Sequence, residues 1–193
     1  YIQWVVTIFM ILFGVNFNAY FLLLMRKFRR AAASEEVRGY FVVIAVAVGI
    51  ITANIYSMYN SFGEALRQAA FQVGSIITTT GFSSCDFDLW PTLAKEVLVL
   101  LMFVGACAGS TGGGIKVTTF VLMGLFVSTV AHGRENCVIY KRTVSHATVM
   151  RAMVVALISA CVVGVDLLLL TIAEQDTAFV DLMFETLSAF GTV

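Results

Sequence analysis

The stretch Gly109-Ser110-Thr111-Gly112-Gly113-Gly114-Ile115-Lys116 decides how this chain of 193 residues is read. It lies inside an apolar run from Lys95 to Ala131, which would be about 55 Å long as one helix at ~1.5 Å per residue. That exceeds the hydrocarbon core of a bilayer, ~30 Å. Gly109, Gly112, Gly113 and Gly114 fall within six residues, and each weakens a helix by roughly 1 kcal/mol relative to alanine. A span broken at this point is therefore expected. Broken backbone at membrane depth survives only where protein buries it or where it lines a wet cavity, so the break points to a pathway.

The rest of the chain agrees with a membrane setting. Hydrophobic residues make up 60% and charged residues 12%, against about half and about a quarter in soluble domains. Ile2 to Met25 is apolar, broken mainly by Gly14, Asn16 and Asn18, and as a helix of about 36 Å it reaches across a bilayer. Tyr40 to Tyr59 and Met150 to Ala173 read as further spans. One proline and no low-complexity tract argue against disorder. Cys85, Cys107, Cys137 and Cys161 show no CxxC pairing and no histidine at ligand spacing, so they read as small packing residues rather than a zinc or redox site. The chain opens at Tyr1 inside an apolar run and closes at Val193 without a polar tail, which reads as a piece cut from a longer protein. The expected class is an all-α integral membrane protein.

Two segments, Glu64 to Thr80 and Phe179 to Phe190, are too short or too polar for full spans. Each follows a span and starts beside acidic residues, which fits a re-entrant half-helix. Arg26, Lys27, Arg29, Arg30 and Arg38 flank one loop, and Arg134, Lys141, Arg142 and Arg151 flank another. Excess positive charge marks both as cytoplasmic. The opposite side carries Glu64, Asp86, Asp88, Glu96, Glu174, Asp176, Asp181 and Glu185. An acidic outer mouth concentrates cations and repels anions, although acids are also common in solvated loops.

An internal repeat accompanies this layout. Phe71, Ser75 and Thr79 in FQVGSIITTTGF match Phe184, Ser188 and Thr192 in FETLSAFGTV at one offset. Span, half-helix and polar Gly/Thr stretch thus occur twice, a strong organisational signal in membrane proteins. After the first half-helix comes Thr78-Thr79-Thr80-Gly81-Phe82. A cation leaving water needs its hydration shell replaced, and inward-pointing carbonyls of an extended chain do this without adding charge. Glycine permits the backbone angles such alignment needs, and the C-terminal end of a half-helix, with about −0.5 charge, favours a cation. The competing reading is an ordinary glycine cap after a helix. The threonine triplet and the second copy favour the filter.

At these residues the chain resembles the Trk/Ktr/HKT superfamily of K⁺ transporters, in their pore-forming membrane subunit. The resemblance rests on TTTGF at Thr78–Phe82 followed by DFDLWP at Asp86–Pro91, on GSTGGGIK at Gly109–Lys116 and on FETLSAFGTV at Phe184–Val193. It covers essentially the whole chain. It implies four span–pore-loop–span repeats around one pore. Residues 1–30 would be the last span of repeat two and 31–37 a cytoplasmic loop. Residues 38–131 would be repeat three, 132–146 a second cytoplasmic loop, and 147–193 the opening of repeat four. It implies a selectivity filter at Thr78, Thr79, Thr80, Gly81 and Phe82, with Gly191, Thr192 and Val193 in the matching place, and K⁺ held at Thr79, Thr80, Thr192 and Val193. Gly109, Ser110, Thr111, Gly112, Gly113 and Gly114, with Lys116 beside them, would form an intramembrane gate below the filter. It also implies multi-pass residence in the inner or plasma membrane among lipid, a homodimer, and regulation by a cytosolic nucleotide-binding ring. No cofactor and no nucleic acid is implied; K⁺ is the cargo. Family members that conduct Na⁺ keep that alternative open.

Other chemistries fit less well. GSTGGGIK invites a phosphate-binding reading, but that motif needs lysine directly after its last glycine, and here Ile115 intervenes. Lys116, which costs about 3 kcal/mol at a bilayer centre, is expected near the gate as an electrostatic barrier. Asp166, within the Met150–Ala173 span, is read as a hydrogen-bonding group rather than a proton relay. His132 and His146 lie far from the acids, so no catalytic set assembles and the chain is not read as an enzyme. A carrier of a small solute with re-entrant hairpins is the second reading. It would want charged or aromatic groups at the midplane, where glycine and threonine stand.

Overall fold

The computed structural model describes residues 1–29, 34–132, 138–139, 142–143 and 146–193. Apart from two pairs of two-residue strands, the regular structure of these residues is helical. Helix α1 (Ile2–Phe13) and helix α2 (Phe17–Leu24) meet at 92°. The single straight span expected over Ile2 to Met25 is thus two helices with a sharp bend at Gly14–Asn16. The carbonyls freed by the bend find partners from elsewhere, which is what makes a break tolerable. The Tyr40 hydroxyl donates to Ile11 O at 3.0 Å and the Tyr20 hydroxyl to Leu12 O at 2.5 Å. Thr111 Oγ1 donates to Phe13 O at 3.2 Å, and Cys107 N–H to Gly14 O at 3.2 Å. Asn16 caps α2 by accepting from Asn18 N–H at 2.8 Å.

Helix α3 (Glu35–Ile55) carries buried Tyr40, Ile44, Ala47, Ile51 and Ile55, the spacing of one helix face. Through a 3₁₀ turn at Tyr56–Met58 it leads to helix α4 (Phe62–Ile77). Ser61 starts α4, its hydroxyl accepting from Glu64 N–H at 3.2 Å. Ten consecutive residues, Gln68 to Ile77, are buried. A helix buried all round has no face for lipid or water, and α4 is enclosed by α1, α3 and the following helix α5 (Thr92–Phe103). Sixteen residues give about 24 Å, short of a crossing.

The long apolar run breaks where the glycines predict. Helix α5 stops at Phe103. Strand β1 (Val104–Gly105) pairs in parallel with β2 (Ile115–Lys116), and helix α6 (Val117–Ala131) resumes. The strand pair closes the glycine segment into a loop whose ends are adjacent. Strands β3 (Val138–Ile139) and β4 (Arg142–Thr143) pair antiparallel. Helix α7 (His146–Ala173) is 28 residues long and presents Leu157, Ile158, Leu168 and Ile172 outward. Helix α8 (Phe179–Gly191) packs against α7 and α5. Helices α3 and α7 are each long and apolar enough to cross a membrane, and the bent pair α1–α2 adds a third such segment. Most of the second cytoplasmic loop expected at residues 132–146 lies outside the described residues, as does Cys137.

Candidate functional site

The two half-helices α4 and α8 terminate in the same way. After α4, Thr79 takes a left-handed backbone (φ 55°), its N–H bonds Ile76 O at 3.0 Å, and Thr80 N–H bonds Ser75 O at 2.9 Å. After α8, Thr192 is left-handed (φ 62°), its N–H bonds Ala189 O at 3.3 Å, and Val193 N–H bonds Ser188 O at 3.0 Å. Both ends are Schellman closures, and they place Ser75 with Ser188 and Thr79 with Thr192, the pairs matched in the sequence. The left-handed position usually takes glycine. A β-branched threonine there is a genuine outlier and costs about 1–3 kcal/mol. Where the sequence suggested an extended filter stretch, the chain instead turns left-handed at Thr79 and again at Gly81 (φ 72°), because the helix closure claims the first of these residues.

The glycine segment lies against both ends. Gly113 donates its N–H to Thr79 Oγ1 at 3.0 Å. A Cβ on Gly113 would stand 2.3 Å from Thr192 Oγ1 and 2.5 Å from Gly191 O, so only glycine fits between the two helix ends. A Cβ on Gly112 would meet Thr78 O at 3.5 Å. Lys116 Nζ donates to Gly112 O and, at 3.3 Å, to Gly113 O, which gives the buried part of its charge two carbonyl partners. Within the segment Ser110 Oγ donates to Cys107 O at 2.7 Å and accepts from Gly112 N–H at 3.3 Å.

A cavity of about 130 Å³ opens between the half-helices, with Ser75, Gly81, Phe82, Met102, Ser188 and Val193 on its walls. Ser188 Oγ donates to Val193 O at 3.0 Å, whereas the buried Ser75 hydroxyl has no partner among the described residues. The rings of Phe87 and Phe184 stack at 5.4 Å and those of Phe103 and Phe190 at 6.0 Å, tying α8 to α5 and to the segment that precedes it. The chain returning from Phe82 is braced by two amides of α4. Gln72 Nε2 donates to Ser83 Oγ at 3.2 Å, and Ser84 Oγ donates to Gln68 Oε1 at 2.7 Å.

The sequence-derived filter and glycine residues are therefore gathered in one place. Asp166 is not among them: it is exposed on α7 with no hydrogen-bond partner among the described residues. Asp86, Asp88, Glu96, Glu174, Asp176, Asp181 and Glu185 are exposed, and Glu64 pairs with Arg67 at 3.6 Å. Sequence reasoning passed over Glu36, Tyr40, Gln68 and Gln72, whose partners are all distant in the chain. For Tyr40 and Gln72 the one available signal was a polar group within an apolar stretch, whereas Glu36, beside Ser34, Glu35 and Arg38, offered none.

Comparison with known proteins gives a consistent pattern. The cation transport protein family TrkH matches residues 1–193. The chain is 36% identical over 125 residues to the Ktr system potassium uptake protein B of Vibrio alginolyticus, covering 65% of this chain and 27% of that protein. It is 35% identical over 125 residues to the Trk system potassium uptake protein TrkH of Salmonella typhimurium, covering 63% and 26%. The crystal structure of the potassium transporter TrkH from Vibrio parahaemolyticus superposes with a TM-score of 0.73 at 26% identity, over 88% of this chain and 39% of that one. The matched region is about a quarter of the length of these curated relatives.

Proposed function

The chain belongs to the TrkH family of cation transport proteins, and from that premise we propose that it supplies part of the pore of a K⁺ uptake transporter. The observation that carries this reading is the pair of matching helix closures at Thr79 and Thr192 with Gly113 between them. Two half-helices ending at one place bring two negative dipole ends together, which favours a cation there.

In this reading K⁺ gathers at the acidic outer mouth and exchanges water for carbonyl oxygens. Thr78 to Phe82 and Gly191 to Val193 form two of four filter loops, with K⁺ at Thr79, Thr80, Thr192 and Val193. The remaining loops belong to parts of a longer protein, in which residues 38–131 form repeat three. Gly109 to Gly114 close the path below the filter, and Lys116 adds a positive barrier there. The resemblance supports assembly as a homodimer with a cytosolic nucleotide-binding ring.

The test is rubidium-tracer uptake into liposomes holding the full-length protein, with excess K⁺ or Na⁺ as competitor, for wild type and Gly81→Ser. The φ of 72° at Gly81 strains any side chain placed there. Uptake blocked by K⁺ but not Na⁺, with discrimination lost in the variant, supports the filter. Block by both ions equally in the wild type favours a Na⁺-conducting relative, and absence of uptake in both proteins removes the cation-pore reading.

A further inference from the structure

Glu36 stands in the first turn of α3 and is half-buried. Its carboxylate gathers donors from three separate places. Oε1 accepts from Ala108 N–H at 2.6 Å and from Thr118 Oγ1 at 3.3 Å. Oε2 accepts from Asn16 Nδ2 at 3.0 Å. Ala108 precedes Gly109 at the entry to the glycine segment, Thr118 begins α6, and Asn16 sits at the α1–α2 bend. These partners on the described residues are all neutral. Hydrogen bonds to a charged acceptor are shorter and roughly twice as strong as neutral ones, so these donors hold the carboxylate firmly in place. The positive end of α3 favours the charge as well.

The two broken helices touch at this same place. Cys107 N–H donates to Gly14 O at 3.2 Å, and Phe17 N–H to Gly109 O at 3.0 Å. The glycine segment is therefore gripped at both ends by opposite charges. At its entry an anion takes an N–H, and at its exit Lys116 takes the carbonyls of Gly112 and Gly113. Of the two grips, the one at Glu36 also reaches a second broken helix.

We propose that Glu36 is the positioning residue that holds the glycine segment closed, by bonding its entry to the α1–α2 bend through Asn16. This rests on the gate reading of Gly109–Gly114. Release of the carboxylate frees the segment's entry and uncouples it from the bend, while the filter ends at Thr79 and Thr192 keep their own closures. The consequence is more flux at unchanged ion discrimination. A merely structural role would instead lower stability and flux together.

The experiment is rubidium-tracer uptake into liposomes with the full-length protein, comparing wild type, Glu36→Gln, Glu36→Ala, Asn16→Ala, the double variant Glu36→Ala/Asn16→Ala and a form lacking Gly109–Gly114. Thermal stability of each is followed by size-exclusion chromatography. Loss of hydrogen bonds to a charged group predicts uptake raised roughly tenfold in Glu36→Ala, with K⁺ and Na⁺ competition as in wild type. Glu36→Gln, which keeps one carbonyl acceptor, should fall between the two. The double variant should raise uptake little beyond Glu36→Ala, because both changes break the Asn16–Glu36 connection, while loss of the Asn16 cap on α2 lowers the stability of both Asn16 variants. If removal of the segment raises uptake but neither Glu36 variant does, the proposal falls and the gate reading stands. If removal of the segment raises nothing, both fall. Lowered uptake together with lowered thermal stability in the Glu36 variants assigns the residue to folding and also overturns the proposal.

Discussion

The backbone N–H of Gly113 donates to the Thr79 hydroxyl across 3.0 Å, so the middle of the glycine segment hangs from the residue that closes the first half-helix. Filter and gate, in the proposed reading, share a hydrogen bond. Thr79→Val keeps the shape and the backbone of residue 79 but removes the acceptor. A neutral hydrogen bond contributes about 1 kcal/mol net, so tracer uptake should rise about fivefold. Thr79→Ser should behave as wild type. Equal uptake in Thr79→Val and wild type would show that the bond does not bear on closure.

Gly113→Ala tests the space rather than the bond. The added methyl would lie 2.5 Å from Gly191 O, a backbone atom, as well as 2.3 Å from Thr192 Oγ1. The side chain can rotate away; the carbonyl cannot without moving α8. Overpacking of this kind costs about 1–3 kcal/mol, and the melting temperature in detergent should fall. Gly49→Ala is the control, since nothing lies within 4 Å of a Cβ there. A glycine within a helix is weaker than alanine by roughly 0.5–1 kcal/mol, so Gly49→Ala should hold or raise the melting temperature. Equal melting of both variants would mean the loop yields easily.

These contrasts bear on how far the sequence could be read. The break in Lys95–Ala131 was legible because its glycines are clustered and their helix penalties add. The matching helix ends were legible because Ser75, Thr79, Ser188 and Thr192 are short polar residues at helix ends, where local closure dictates geometry. The bend at Gly14–Asn16 was not legible. One glycine and one asparagine are tolerable in a long apolar helix, and the break is stabilised by Tyr40, Cys107 and Thr111, which come from other segments. A Cβ on Gly14 would also lie 2.1 Å from the Tyr40 hydroxyl, a constraint set wholly by packing. Glu36 was passed over, because two of its partners lie 72 and 82 residues away, beyond anything periodicity reports.

Gln72 offers a test of filter rigidity. It is buried, and its Nε2 reaches Ser83 Oγ at 3.2 Å just beyond the proposed filter stretch. Gln72→Leu fills similar space but leaves Ser83 without this donor. The return chain should loosen and the preference for K⁺ over Na⁺ in competition should narrow, by about fivefold if about 1 kcal/mol of bracing is lost. Gln72→Glu removes the donor and adds a charge, so it should narrow the preference at least as much. Retained preference in both variants would mean that the filter is held by other contacts.

Lys116 separates charge from tethering. Its Nζ donates to Gly112 O and Gly113 O, so it could restrain the glycine segment mechanically, repel cations below the filter, or do both. Lys116→Gln keeps a donor of shorter reach and removes the charge, Lys116→Arg keeps the charge, and Lys116→Ala removes both. An electrostatic barrier predicts raised uptake in Lys116→Gln and Lys116→Ala, low uptake in Lys116→Arg, and a wild-type flux that climbs with ionic strength as screening shortens to about 3 Å at 1 M salt. A purely mechanical tether predicts a rise in Lys116→Ala alone, without dependence on salt. Unchanged uptake in all three variants would remove Lys116 from the gate, leaving Glu36 and Thr79 as the groups that hold the segment in place.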